Sequence, residues 1–385
     1  MPLKSTRRWV GSLLLVGALV ALAACSSKEE ATPGPTTPAP TAGQAAWEQE
    51  WEQVLAAAKK EGKVVVAGPS GSPQRGALTT PFEKKYGITV EYAGFGGSEF
   101  PPRIQTERAA GQYLWDIFIG GTTTTITALL PMGVAEPIKP ALILPEVTDL
   151  SKWKDGHIDF ADKAEVYNIV SFVNPKAMIF YNKNLVDPKK LTSFRDLLSP
   201  EWKGKLVSFD PTSAGSGLAT FTFYYTNPAL GEDFIRQLAG QGIRTTRDQD
   251  QVVRWVAEGA AAIAIAFGED NATPLIKAGA PVGIIQTLKE GGYFTTGSTS
   301  LLLMNRAPHP NAAKVFVNWF LSKDGATAFG TAVGWNTRRV DIPQDYIPEY
   351  GRIAPGVKYD ETNYKEDMVY RKDEIAAVVR KYLQQ

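Results

Sequence analysis

The chain has 385 residues, 44% of them hydrophobic, with 41 Lys and Arg against 40 Asp and Glu and a net charge of +1. That balance excludes nucleic-acid binding driven by a basic surface, while the length provides for two domains or one bilobed body with sizeable cores. The single cysteine excludes a disulfide or a thiolate metal cluster, and the two histidines leave little room for imidazole metal sites or general bases.

Residues 1–24 read as an export signal: Lys4, Arg7 and Arg8 form a basic start, and an apolar run from Gly11 to Ala24 follows. That run is too short to span a bilayer comfortably. Its end, Leu22-Ala23-Ala24-Cys25, resembles the lipobox of bacterial lipoproteins. The resemblance implies cleavage before Cys25 and acylation of its thiol; an ordinary signal peptide that happens to contain a cysteine is the alternative. Two or more acyl chains hold a protein firmly at a membrane surface. Residues 25–46 then form the lipidated cysteine and a Pro-, Thr- and Ala-rich tether with too little apolar content to fold. No other stretch reaches transmembrane length without charge, so the body is expected to be soluble.

Order is predicted from Trp47, where Trp47, Trp51, Val54, Leu55 and Ala58 recur at helical spacing until Gly62 stops the helix. Lys63 to Ala67 is a strand followed by the loop 68–72 and a helix through residues 81–85. Ile88 to Tyr92 is the next strand, followed by the loop 94–98 and a helix near residues 103–110. Trp115 to Ile119 is the third, followed by Gly120-Gly121-Thr122-Thr123. Three strand, loop and helix units in succession indicate an open α/β sheet. In such sheets ligands lie beyond the carboxyl ends of the strands. The second half repeats the logic. Strands are predicted at 205–209, 243–246, 260–267, 282–286 and 300–304, and helices around Phe221 to Tyr225, over 250–258 and over 311–321. The tail from Asp341 is polar, with one late helix at 372–383.

Four segments carry a family resemblance: Ala56-Ala57-Ala58-Lys59-Lys60-Glu61-Gly62-Lys63-Val64-Val65-Val66, Leu197-Leu198-Ser199-Pro200-Glu201-Trp202-Lys203-Gly204-Lys205, Asp210-Pro211-Thr212-Ser213, and Ala307-Pro308-His309-Pro310-Asn311-Ala312-Ala313-Lys314. In this order and spacing the chain resembles the extracellular solute-binding proteins of bacterial ABC transporters, in the type II branch that includes the ferric-ion-binding proteins. The resemblance spans about residues 47–340. It implies two α/β lobes joined by crossing strands, with a ligand in the cleft between them and hinge closure upon it. By that resemblance the crossings fall near Phe180-Tyr181 and Tyr293-Phe294. Lobe 1 is then 47–180 with 293–340, lobe 2 is 181–292, and 341–385 is a C-terminal extension. A monomer delivering a small solute to a permease is implied, with no enzymatic activity and no cofactor.

The iron-binding members use a histidine, a glutamate and adjacent tyrosines. Matched along the chain, these positions fall on Ser70, Gly121 and Phe267-Gly268, so that donor set is missing. Tyr224-Tyr225 lies in a predicted helix, where neighbours diverge by about 100°. What stands at the strand ends instead is a set of small hydroxyls and glycines: Ser70, Gly71 and Ser72; Gly96 and Ser98; Gly121 and Thr122; Ser213, Gly215 and Ser216. Helix starts of this kind favour an anion, and glycines allow close approach, although each hydroxyl alone also reads as a helix cap. Arg247 is a candidate carboxylate clamp, with a surface ion pair to Asp248 or Asp250 as the alternative. Phe95 and Phe267 could stack on a ring, Tyr181 could hydrogen-bond at the hinge, and Glu269 and Asp270 could take an amine, sugar hydroxyls or a metal. His157 and His309 read as surface residues.

The expectation is therefore a lipid-anchored, extracytoplasmic receptor for a carboxylate-, phosphate- or phosphonate-bearing solute. The alternatives are a metal receptor with a different donor set, a sensing or adhesive lipoprotein, and a surface hydrolase. For the hydrolase no nucleophile and base pair is found, and Ser216 sits in an incomplete elbow because Ala214 stands where a glycine is needed.

Overall fold

The computed structural model describes residues 45–383 except Gly97 and Ala177. The export signal, Cys25 and nearly all of the tether lie outside the described residues. Among the described residues the strands form three sheets.

The first sheet has the order β2-β1-β3-β12-β4, with β1 Lys63–Pro69, β2 Thr89–Phe95, β3 Ile117–Gly120, β4 Asn168–Val170 and β12 Ser300–Leu303. β1 runs parallel to β2 and β3, while β12 runs antiparallel to β3 and β4. The Val64-Val65-Val66 run suits a strand covered on both faces. Helices Ala46–Glu61, Ser72–Tyr86 and Pro310–Leu321 contribute to its core, where Phe82 contacts Phe316 and Trp319 at ring separations of 5.2 and 5.3 Å. Gly62 ends the first helix in the left-handed region, its N–H bonded to Ala58 O. His309 is no surface residue: its ring is largely buried, and its Nδ1 lies 2.8 Å from Oδ2 of the fully buried Asp116. Burial outweighs the hydrogen bonds to Asp116 and raises its carboxyl above the ordinary value.

The second sheet has the order β10-β6-β9-β7-β8, with β6 Ile179–Asn182, β7 Leu206–Phe209, β8 Arg244–Thr246, β9 Ile263–Ala264 and β10 Val282–Ile285. The third is β13-β5-β11-β14, with β5 Phe172–Lys176, β11 Gly292–Thr295, β13 Asn336–Thr337 and β14 Tyr359–Asp360. β5 carries the chain from the first sheet to the second and β11 carries it back. The two pair antiparallel, Tyr293 opposite Lys176. Phe180 and Tyr181 are therefore not at the crossing. They sit inside the second sheet, paired with β10 and β9, and the first crossing strand is the preceding one, β5.

The C-terminal segment is built into the body. β14 pairs with β11, and helix Glu366–Leu383 buries Ile375 and Val379 in the aromatic core of the second lobe beside Phe221, Tyr224 and Phe234. The helix begins six residues before the predicted start, because Met368 and Val369 are also buried.

Candidate functional site

A cavity of about 870 Å³ lies where these parts meet. The first lobe contributes Gly121, Thr122, Thr123 and Thr127 from the turn after β3. The second contributes Thr212, Ala214, Gly215 and Ser216 from the loop after β7. The crossing strands add Lys176, Tyr293 and Thr295, and the C-terminal helix adds Tyr370, Lys372, Asp373 and Arg380. Of the residues predicted from sequence, the structure brings Gly121, Thr122, Gly215 and Ser216 to this cavity.

The loop after β7 is organised by Asp210. Its Oδ1 accepts from Thr212 N at 2.8 Å and Thr212 Oγ1 at 2.7 Å, and its Oδ2 accepts from Arg247 Nε at 2.8 Å. Burial opposes ionisation of Asp210, but these bonds prevail and hold the carboxyl below its ordinary value. Arg247 is thus a mostly exposed partner of Asp210 rather than a clamp in the cavity, and it pairs with neither Asp248 nor Asp250. Ser213 turns its hydroxyl to Asp210 O at 3.3 Å. Gly215 has φ 140°, and a Cβ there would meet the Phe209 ring at 2.9 Å. Only glycine suits that turn, which opens helix Ser216–Thr226 onto the cavity. Ser216 Oγ accepts from Gln249 Nε2 at 2.8 Å, leaving its own proton free to donate.

Ionic groups decide the chemistry. Lys176, at the end of β5, forms a nearly buried ion pair with Glu269. Glu269 is therefore neutralised, and Asp270 beside it is exposed. Lys372 is only partly accessible, and among the described residues it has no carboxylate, carbonyl or hydroxyl partner; burial pulls its pKa from 10.5 down to about 8. Tyr293 and Tyr364 also line the cavity, and burial drives both phenols upward, against the hydrogen bond between Tyr293 and Thr220 in the one case and reinforced by the Asp159 charge in the other.

The remaining predicted residues lie elsewhere. Ser70 and Gly71 line a separate pocket of about 320 Å³ with Arg75, Tyr92 and Gly94, and Ser72 opens the helix beyond it. Gly96 and Ser98 are exposed in a turn where Gly96 N donates to Glu99 Oε2 at 2.6 Å. Phe95 packs on Phe100 and Trp115 at 5.3 and 5.4 Å, beneath Arg103. Tyr181 and Phe267 are core residues, Tyr181 over Gly283 and Phe267 against Phe180 at 5.3 Å. Tyr224 is fully buried, so the Tyr224-Tyr225 pair does not face a common site. Among the described residues no group of three or more His, Cys, Asp or Glu side chains could hold a metal ion.

Sequence reasoning missed Lys176 and Lys372. β5 contains Pro175, a residue unfavourable inside a strand, and the polar tail carries no local pattern that turns it back to the cleft.

Residues 77–338 match the family model described as bacterial extracellular solute-binding protein. A probable ABC transporter periplasmic-binding protein, y4fP, of Sinorhizobium fredii is 25% identical over 289 residues, covering 70% of this chain and 73% of that protein. Among solved structures, the iron- and citrate-bound IdiA (FutA) of Trichodesmium is similar with a TM-score of 0.65 at 19% identity, over 83% of this chain and 99% of that one. The periplasmic binding protein AfuA of Actinobacillus pleuropneumoniae, with fructose-6-phosphate bound, has a TM-score of 0.60 at 17% identity, over 81% and 96%. At these identities the structures share the two-lobed fold.

Proposed function

The chain belongs to the bacterial extracellular solute-binding proteins, and from that premise we propose that it is the receptor of an ABC importer for a small anionic solute held between the lobes. The observation that carries this reading is Lys372: a partly buried ammonium without a counter-ion among the described residues, lining one cavity with hydroxyls from both lobes. A desolvated cation is unfavourable unless something pairs with it. A carboxylate or phosphate would do so while Ser216, Thr122 and the first-turn amides of helix Ser216–Thr226 supply donors. The family places the protein outside the cytoplasm. Among the described residues no helix is long and apolar enough to cross a membrane. Acylation at Cys25 fits as the anchor, and Cys25→Ser is expected to move the protein from the detergent phase to the aqueous phase on partitioning.

The relatives offer iron–citrate and a sugar phosphate as precedents. The cavity favours the organic anion, because its buried phenols are already engaged, Tyr293 with Thr220 and Tyr364 with Asp159, and among the described residues no group of three or more His, Cys, Asp or Glu side chains could hold the metal. Binding without turnover also fits, since the cavity's serines and threonines face no imidazole; neither histidine lines it.

The test is a thermal-shift panel: hexose phosphates, small carboxylates, Fe(III) with and without citrate, spermidine and neutral hexoses. A ligand at 100 times its Kd stabilises the folded state by about 2.7 kcal/mol. A shift with organic anions is expected. A shift confined to spermidine, neutral sugars or citrate-free Fe(III) overturns the reading.

A further inference from the structure

Three cationic side chains line the cavity, Lys176, Lys372 and Arg380. Lys176 is already neutralised by Glu269. The other two stand on one helix, Glu366–Leu383, and among the described residues neither has an ion-pair or hydrogen-bond partner. Lys372, Ala376 and Arg380 follow i, i+4, i+8 spacing, so all three share one helix face. The span is about 12 Å along the axis, at about 1.5 Å per residue. Between the two cations the side chain is only a methyl group, because Ala376 is the intervening residue and is itself buried in the cavity wall. Two cationic side chains thus stand either side of a small residue on one wall of the cavity.

We infer that this face of the C-terminal helix is the docking subsite for the phosphoryl group of a phosphate monoester, with Asp373 beside Lys372 accepting hydroxyls of the organic part. The inference rests on the anionic-solute reading above and narrows it. A phosphate monoester carries a charge of about −1.5 to −2 near pH 7 and three acceptor oxygens. It can engage both cations, whereas a carboxylate is satisfied by one. The helix is held from both sides: Tyr370 Oη donates to Ile126 O at 3.2 Å in the first lobe, and Tyr382 Oη donates to Glu232 Oε1 at 2.6 Å in the second. A subsite on a packed helix is preorganised. This wall lies beyond residues 77–338, the stretch that matches the family model.

The experiment is calorimetric titration of the signal-free protein with phosphate monoesters (hexose 6-phosphates, glycerol 3-phosphate) and their carboxylate counterparts (hexuronates, glycerate). The wild type, Arg380→Gln and Lys372→Met proteins are compared. The wild type is expected to prefer a phosphate ester at least about tenfold, as charge-assisted hydrogen bonds imply. Arg380→Gln removes most of that preference while changing carboxylate affinity less than about threefold, and Lys372→Met weakens both classes. Arg380 is exposed, so an unchanged melting temperature is expected for its variant. Binding of carboxylates without preference for phosphate, or an Arg380→Gln effect equal on both classes, overturns the inference but leaves the anion reading standing. Failure of every anion to bind overturns both.

Discussion

Lys372→Met is expected to make the empty protein more stable and the receptor weaker. The lysine pKa falls from 10.5 to about 8 through burial. At about 1.4 kcal/mol per pH unit, that corresponds to about 3 kcal/mol against the protonated form in the fold. Water reaching Lys372 through the cleft lowers the realised value, so about 1–3 kcal/mol is expected. Methionine keeps much of the stem and removes the charge. The sign with pH follows from linkage. A lysine lowered in the folded state binds fewer protons there than when unfolded between about 8 and 10.5, so wild-type stability gains from this group as pH rises through that window. The variant loses that slope. Binding responds in the opposite sense: an anion pairs with the ammonium, so wild-type affinity falls above about pH 8 and binding there takes up a proton. Urea melts at pH 7 and 9.5, with calorimetry in two buffers of different ionisation enthalpy, read both effects. The other titratable groups lining the cavity, Lys176, Tyr293, Tyr364, Tyr370, Asp373 and Arg380, are present in both proteins and cancel in the comparison. A variant that is less stable at pH 7 and binds its anion unchanged would refute the reasoning.

Glu269→Gln leaves Lys176 buried beside a neutral partner, and breaking a buried pair costs about 3–5 kcal/mol; a clear drop in melting temperature is expected, and an unchanged one means the pair is not formed. Gly215→Ala forces a Cβ to 2.9 Å from the Phe209 ring at φ 140°. A loss of about 1–3 kcal/mol in chemical denaturation is expected, together with weaker ligand binding, since the turn aims Ser216. His309→Ala removes the ring from the buried Asp116 carboxylate and is expected to destabilise by about 2 kcal/mol without changing ligand affinity, because the pair lies outside the cavity. A fall in affinity at constant fold would place it nearer the ligand than the structure does.

Much of the first lobe was legible because its strands are β-branched runs closed by glycine and small polar loops, and each run became β1, β2 or β3. The return crossing at Tyr293-Phe294 was legible too. The first was misplaced because Ile179-Phe180-Tyr181 is the more apolar segment, and apolarity marks a sheet centre better than a hinge. The strand predicted over 260–267 shrinks to Ile263–Ala264, since an alanine- and isoleucine-rich run reports burial more than pairing. At the site, the hydroxyl and glycine loops after β3 and β7 were found by position, as strand ends converge on a cleft. Phe95, Tyr181 and Phe267 were not, because an aromatic residue near a loop packs inward whenever a core lies beneath it. The cations were hidden for a different reason. Lys176 and Lys372 reach the cavity through long-range packing of β5 and of the last helix, and no local pattern encodes that.

In the proposed complex an organic anion sits between the lobes against Lys372. A crystal structure of the protein soaked or grown with the anion giving the largest thermal shift tests it most directly. The ligand is expected in the 870 Å³ cavity, with an anionic oxygen at hydrogen-bonding distance from Lys372 Nζ and others within reach of Ser216 and Thr122. A ligand bound instead at the Ser70 and Arg75 pocket, or in the cavity with its anionic group turned away from Lys372, would contradict it.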